Sequence, residues 1–154
     1  MGMGGGTLVP RLDDTQIESL VSKAWEARLN AYAPYSQFHV GAALLAADGR
    51  VFTGANVENA SLGLTMCAER VALGAAAAAG ARSVVAVAVA GVDYDGVVPC
   101  GACRQVLSEF SPSMLIIRCR PDGAHTVTSL SKLLSSPFTG DSVEKGKREP
   151  VGAA

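Results

Sequence analysis

Apolar residues first recur at helical spacing: Ile17, Leu20, Val21, Ala24 and Trp25 mark one face of a helix. Thr15 with Glu18 three residues on reads as its capping box. The helix is expected to reach about Ala31, because a residue preceding proline, here Pro34, disfavours helical geometry. The period then changes. Phe38 to Ala46 and Val51 to Val57 are apolar, partly β-branched runs separated by Ala47-Asp48-Gly49-Arg50, and the Asp-Gly pair predicts a hairpin. A second helix is expected to begin near Cys67, to use the alanine run Ala75 to Ala79, and to stop at Gly80.

Val84 to Ala90 is a near-continuous apolar strand of the buried, parallel type. Pro99 precedes a helix from about Cys100 to Phe110, and Met114 to Cys119 is another buried strand. Pro121-Asp122-Gly123 turns the chain into a short strand near Thr126 to Thr128, and a last helix covers roughly Ser129 to Ser135. This order places helices on both faces of one mixed sheet, an α/β fold of three layers. The link between the last two strands is too short for a crossover helix, so that pair is expected to be antiparallel.

A chain of 154 residues, about half apolar, suffices for one domain with a core. Glycine-rich 1–12 is expected as a flexible segment, 13–138 as the domain, and polar 139–154 as a loose tail. A net charge of -1 offers no basic surplus for nucleic acid or an anionic membrane. Small uncharged partners suit it better. No segment resembles a signal peptide and no apolar run spans a bilayer, which points to the cytoplasm. There, cysteines at C-x-x-C spacing read as metal or redox chemistry before they read as a disulfide.

Two stretches carry the chemistry. Thr65-Met66-Cys67-Ala68-Glu69-Arg70 offers a thiol and, two residues on, a carboxylate; Pro99-Cys100-Gly101-Ala102-Cys103-Arg104 offers two thiols. Cys67, Cys100 and Cys103 supply three zinc ligands, which leaves the fourth position for water, the catalytic arrangement. Both motifs fall at expected helix N-termini, where unpaired amides and the helix dipole favour thiolates. Three thiolates on one zinc need a positive neighbourhood, for which Arg70 and Arg104 are candidates. Glu69 is placed to move protons beside the metal.

A Cys-Ala-Glu with a later Pro-Cys-x-x-Cys is the pattern of zinc-dependent deaminases. From about Thr15 to Phe138 the chain resembles cytidine deaminases of the small homotetrameric type. Tyr32-Ala33-Pro34-Tyr35-Ser36-Gln37-Phe38 and Asn56-Val57-Glu58-Asn59 resemble that family's nucleoside-binding segments. The resemblance implies a five-stranded cytidine deaminase-like α/β/α sandwich, one zinc per subunit on the three cysteines, and Glu69 as proton shuttle. It assigns Asn56 and Glu58 to the ribose 3'-hydroxyl, Phe38 to packing on the base, and the Ala68 amide to the pyrimidine carbonyl. Arg70 matches an arginine that hydrogen-bonds the cysteine sulfurs.

Relatives acting on bases in nucleic acids usually carry a helix between the last two strands, so the short link favours a free nucleoside. In one respect the chain departs from the pattern. Leu62 stands where many relatives have an aromatic residue reaching a neighbouring subunit's site, and Phe138 resembles a C-terminal aromatic that can approach one. The resemblance thus implies cytidine and 2'-deoxycytidine deamination in pyrimidine salvage, by a homotetramer.

Two other readings compete. A blasticidin S-type deaminase shares the zinc motifs, but Glu58 suits a ribose hydroxyl that the antibiotic lacks. A structural zinc module would need Cys119 as a fourth ligand, yet Cys119 sits alone in a strand and reads as a buried free cysteine. His39 and His125 have no ligand spacing between them and receive no role.

Overall fold

The structure, a computed structural model, describes residues 10–147. The first nine residues of the expected flexible segment, and 148–154 of the expected tail, lie outside the described residues. The elements run α1 (Asp14–Arg28), β1 (Val40–Ala46), β2 (Val51–Ala55), a 3-10 turn (Leu62–Leu64), α2 (Ala68–Ala78) and β3 (Val84–Gly91). There follow α3 (Gly101–Ser108), β4 (Leu115–Cys119), β5 (His125–Ser129), α4 (Leu130–Leu133) and α5 (Gly140–Lys147). None of these helices is long and apolar enough to cross a membrane.

One five-stranded sheet has the order β2-β1-β3-β4-β5. β3 and β4 are parallel and every other pair is antiparallel, including β4 with β5 as the short link requires. Alternation along the strands divides the core. Ala43 and Leu45 of β1, Ala86, Ala88 and Ala90 of β3, and Ile117 of β4 meet Leu20 and Ala24 of α1. The opposite faces of the same strands, with Leu44, Val87, Val89 and Ile116, meet Ala72, Leu73 and Ala76 of α2 and Leu107 of α3. Small side chains let α1 settle low on its face. At Gly41 the approach is backbone to backbone, since a Cβ there would lie 2.1 Å from the Ala24 carbonyl oxygen.

Element boundaries differ from the sequence expectation where side chains take over backbone partners. The cap of α1 is Asp13, which accepts from Gln16 N–H while Gln16 returns to Asp13 N–H, so the box lies two residues before Thr15 and Glu18. α1 stops at Arg28 and not near Ala31, and Tyr32 N–H turns instead to the Asn56 carbonyl. β1 starts at Val40 because the Asn56 amide occupies both the Phe38 carbonyl and the Val40 N–H. The polar stretch expected as a loose tail contains α5, with Asp141 in its first turn, where acidic charge favours a helix N-terminus.

Candidate active site

The positive ends of α2 and α3 meet beyond the end of β3. Cys67 is the N-cap of α2 and Cys100 the N-cap of α3, both in extended backbone conformation. Glu69 is then the second residue of α2, and Cys103 the third of α3. N-cap and third-position side chains face each other, as every capping box shows, so C-x-x-C at a helix start turns both sulfurs one way.

The Cys67 and Cys100 sulfurs lie 3.8 Å apart, and the three sulfurs of Cys67, Cys100 and Cys103 all lie within 4.8 Å of one another. Tetrahedral zinc with sulfur at about 2.3 Å requires ligands roughly 3.8 Å apart, so the donor set fits the metal. Among the described residues this trio is the one cluster of metal-binding side chains. Cys119 is buried on the α1 face of the sheet among Ala90 and Leu115, and burial pushes its thiol up to about 12. A closed shell of four cysteines does not form.

The charges suit a bound cation. A hydrogen bond from Cys103, with Arg70 and Cys100 assisting, brings the Cys67 thiol down to about 5. Cys103 moves the other way, through that same bond and through burial. An Arg70 guanidinium nitrogen donates to the Thr65 carbonyl at 3.0 Å and to Cys67 Sγ at 3.5 Å. Arg104 sits elsewhere than at the sulfurs: Nε donates to the Pro99 carbonyl at 2.7 Å and a terminal nitrogen to the Leu133 carbonyl at 3.0 Å. It braces the residue before Cys100 instead of facing the thiolates.

Glu69 is 3 % exposed, and burial raises its pKa above the ordinary carboxylate range. Glu69 lines the same cleft as Cys67 and Cys100. The cleft holds about 310 Å3, at the small end of the range for small-molecule sites. Ala68, the first residue of α2, lies on its wall with a backbone N–H that has no acceptor within the helix.

The far wall is a small backbone lattice. Asn56 and Glu58 bond to Tyr32 on one side while Val57 bonds to Met66 on the other, which holds 56–58 against both neighbours. Asn56 donates through Nδ2 to the Phe38 carbonyl and accepts through Oδ1 from Val40 N–H, each at 2.8 Å. Glu58 accepts from Tyr35 and Ser36 N–H and from the Ser36 hydroxyl, and that hydroxyl in particular holds its pKa below the usual value. Phe38, Asn56 and Glu58 all border the cleft, whereas Leu62 and Phe138 stand exposed away from it.

Sequence reasoning missed two contributors. Ser36 borders the cleft and joins Glu58 to Phe38, and Gln105 holds both backbone groups of Phe138 with its side-chain amide. Ser36 stood inside a quoted motif, so a signal existed. Gln105 carried none, since its partner lies 33 residues on.

A family model described as the cytidine and deoxycytidylate deaminase zinc-binding region matches residues 14–119. The chain belongs to this family. It is 48 % identical over 125 residues to a cytidine deaminase of Halalkalibacterium halodurans, covering 80 % of this chain and 95 % of that one. It is 40 % identical over 137 residues to a cytidine deaminase of Mycobacterium tuberculosis, covering 89 % of this chain and all of the relative. The crystal structure of a cytidine deaminase from Burkholderia pseudomallei superimposes with a TM-score of 0.77 at 47 % identity, over 82 % of this chain and 100 % of that one. The family's zinc-binding region and the three-sulfur cluster agree on one zinc ion per subunit.

Proposed function

We propose that this chain hydrolyses cytidine and 2'-deoxycytidine to uridine and 2'-deoxyuridine with release of ammonia, in pyrimidine salvage. The observation that carries this reading is the shared cleft. Glu69, buried and with its pKa raised by that burial, lies beside three converging sulfurs at a cleft of about 310 Å3. The named relatives support the same substrate class.

Zinc held by Cys67, Cys100 and Cys103 supplies the polarisation that makes water nucleophilic at neutral pH. The chain's own groups do the rest. Glu69 takes a proton from the attacking water as its oxygen bonds to C4 of the ring, and passes that proton to N3. It then takes the second proton of the former water and gives it to the amino group. The C4–nitrogen bond breaks, ammonia leaves, and the C4 carbonyl of uridine remains. Acid–base work of this kind contributes about 100- to 10,000-fold.

Phe38 packs on the base, the Ala68 amide donates to the pyrimidine carbonyl, and Asn56 and Glu58 engage the ribose 3'-hydroxyl. Arg70 offsets the negative charge of the sulfurs. We further infer a homotetramer in the cytoplasm, with Leu62 and Phe138 meeting neighbouring subunits. Exposed Tyr35, Leu62, Leu64 and Phe138 are apolar surface that such an assembly would cover. The net charge of -1 favours neither nucleic acid nor an anionic membrane as partner.

The direct test mixes the zinc-loaded protein with cytidine and follows the ultraviolet change to uridine together with ammonia release. Turnover of cytidine and deoxycytidine, lost on chelation and restored by zinc, is the expected result. An unchanged spectrum with the zinc-loaded protein would overturn the proposal.

A further inference from the structure

Four consecutive backbone N–H groups, those of Tyr35, Ser36, Gln37 and Phe38, cross the lip of the cleft, and each has a partner. Tyr35 and Ser36 donate to one Glu58 oxygen at 2.8 and 3.2 Å. Gln37 donates to the Ala33 carbonyl at 3.1 Å, and its side-chain amide returns to the Pro34 carbonyl at 3.0 Å. Phe38 donates to the Ser36 hydroxyl at 3.0 Å, and that hydroxyl donates in turn to the second Glu58 oxygen. One hydroxyl therefore joins Phe38 to Glu58 along the far wall of the cleft.

The link matters because the turn between its ends is unfavourable by itself. Gln37 has φ 58, the left-handed region that non-glycine residues avoid. Such a residue persists only where its surroundings fix it. Phe38 follows directly, is 43 % exposed and borders the cleft, so packing covers only part of it. Its backbone is held by the N–H bond to Ser36 and the carbonyl bond from the Asn56 side chain, which fixes where the ring springs from.

We propose that Ser36 is a positioning residue for substrate: its hydroxyl sets the Phe38 ring and the Glu58 carboxylate at a fixed separation, so that base and sugar are gripped together. The proposal rests on the nucleoside reading of this cleft. Ser36 acts on binding and leaves the chemistry alone, because Glu69 and the cysteines are carried by the starts of α2 and α3.

The test is steady-state kinetics with cytidine on the zinc-loaded enzyme, with calorimetric binding of uridine as a readout free of turnover. Losing the one hydroxyl breaks a hydrogen bond at each end of the link, so Ser36→Ala is expected to raise KM and the uridine Kd about tenfold, with kcat within about twofold. Ser36→Thr keeps the hydroxyl and restores both constants to within about threefold. In a Phe38→Ala background, Ser36→Ala adds clearly less than its full tenfold effect, because one of the two residues it positions is already gone.

Ser36→Ala constants within threefold of the unsubstituted enzyme, or a full tenfold increment on Phe38→Ala, would overturn the proposal. The unsubstituted enzyme run alongside separates the two readings. If it is inactive on cytidine the deaminase reading fails, whereas an active enzyme indifferent to Ser36→Ala sinks the positioning role alone.

Discussion

Gly54 of β2 packs against Ala68 of α2 with no room for a side chain: a Cβ at position 54 would lie 2.5 Å from the Ala68 carbonyl oxygen and 2.4 Å from the Ala72 nitrogen. Both obstacles are helix backbone, so the clash is relieved only by moving α2 and β2 apart. That helix begins with the cleft-lining Ala68 and Glu69. Gly54→Ala is therefore expected to destabilise the fold by about 1–3 kcal/mol and to lower kcat, read by denaturant melts and cytidine kinetics. Gly74 of the same helix has open space around it, so Gly74→Ala should leave kcat unchanged.

The cysteines divide into three that converge and one that does not. Cys67→Ala or Cys103→Ala should abolish stoichiometric zinc binding, measured by metal analysis after dialysis. Cys119→Ala, on the other face of the sheet, should retain one zinc per chain and lose at most about 1–2 kcal/mol for the small void it leaves. Loss of zinc from Cys119→Ala would mean that the metal sits elsewhere.

Two arginines adjoin the ligands, but only one donates to a sulfur. Arg70→Ala should weaken zinc retention against a competing chelator by about 10- to 100-fold, the usual effect of losing a partner behind a metal ligand. Arg104→Ala removes bonds to the Pro99 and Leu133 carbonyls, and should appear first as lost thermal stability.

Glu58 titrates lower in the folded chain than its ordinary value of 4.5, first because of the Ser36 hydroxyl and then through the Tyr35 and Ser36 amides, with a small contribution from His39. A depressed folded value means stabilisation present in full above the unfolded pKa and lost as pH falls through the folded one. Urea melts of the native chain and Glu58→Gln should differ by a constant amount from pH 7 to about pH 5.5, and converge only below the ordinary carboxylate value. A gap that closes between pH 7 and 6 would assign the effect to a group other than Glu58.

Much of this was legible in the sequence because period and spacing are local properties. The sulfur trio and Glu69 could be placed once two helix starts were recognised, since an N-cap and the first turn fix which way side chains face. Boundaries failed where two signals overlapped. Asp13-x-x-Gln16 and Thr15-x-x-Glu18 both fit a capping box, and the structure uses the first. That choice puts Leu12 just before the cap and Ile17 at the fourth helical position, the two positions of a hydrophobic staple, and both pack on the same core cluster. A cap at Thr15 would have placed Asp14 and Ser19 there.

Long-range side-chain bonds were the illegible part. Phe38 looks like strand by composition, yet Asn56 and Ser36 take its backbone groups from 18 and 2 residues away. Arg104 looked like a counter-charge for thiolates by proximity in sequence, but its side chain reaches carbonyls instead. Nor did the polar stretch after Phe138 display an apolar period, although Ser142 and Val143 N–H bond back to the Thr139 carbonyl at the start of α5.

Glu69→Gln tests the centre of the account, because the amide keeps the shape of the carboxyl and removes its ability to carry a proton. Zinc content and cytidine turnover should be measured on the same preparation. One zinc per chain with kcat reduced at least about 100-fold is the expected result. Full metal occupancy with turnover near that of the native chain would contradict it.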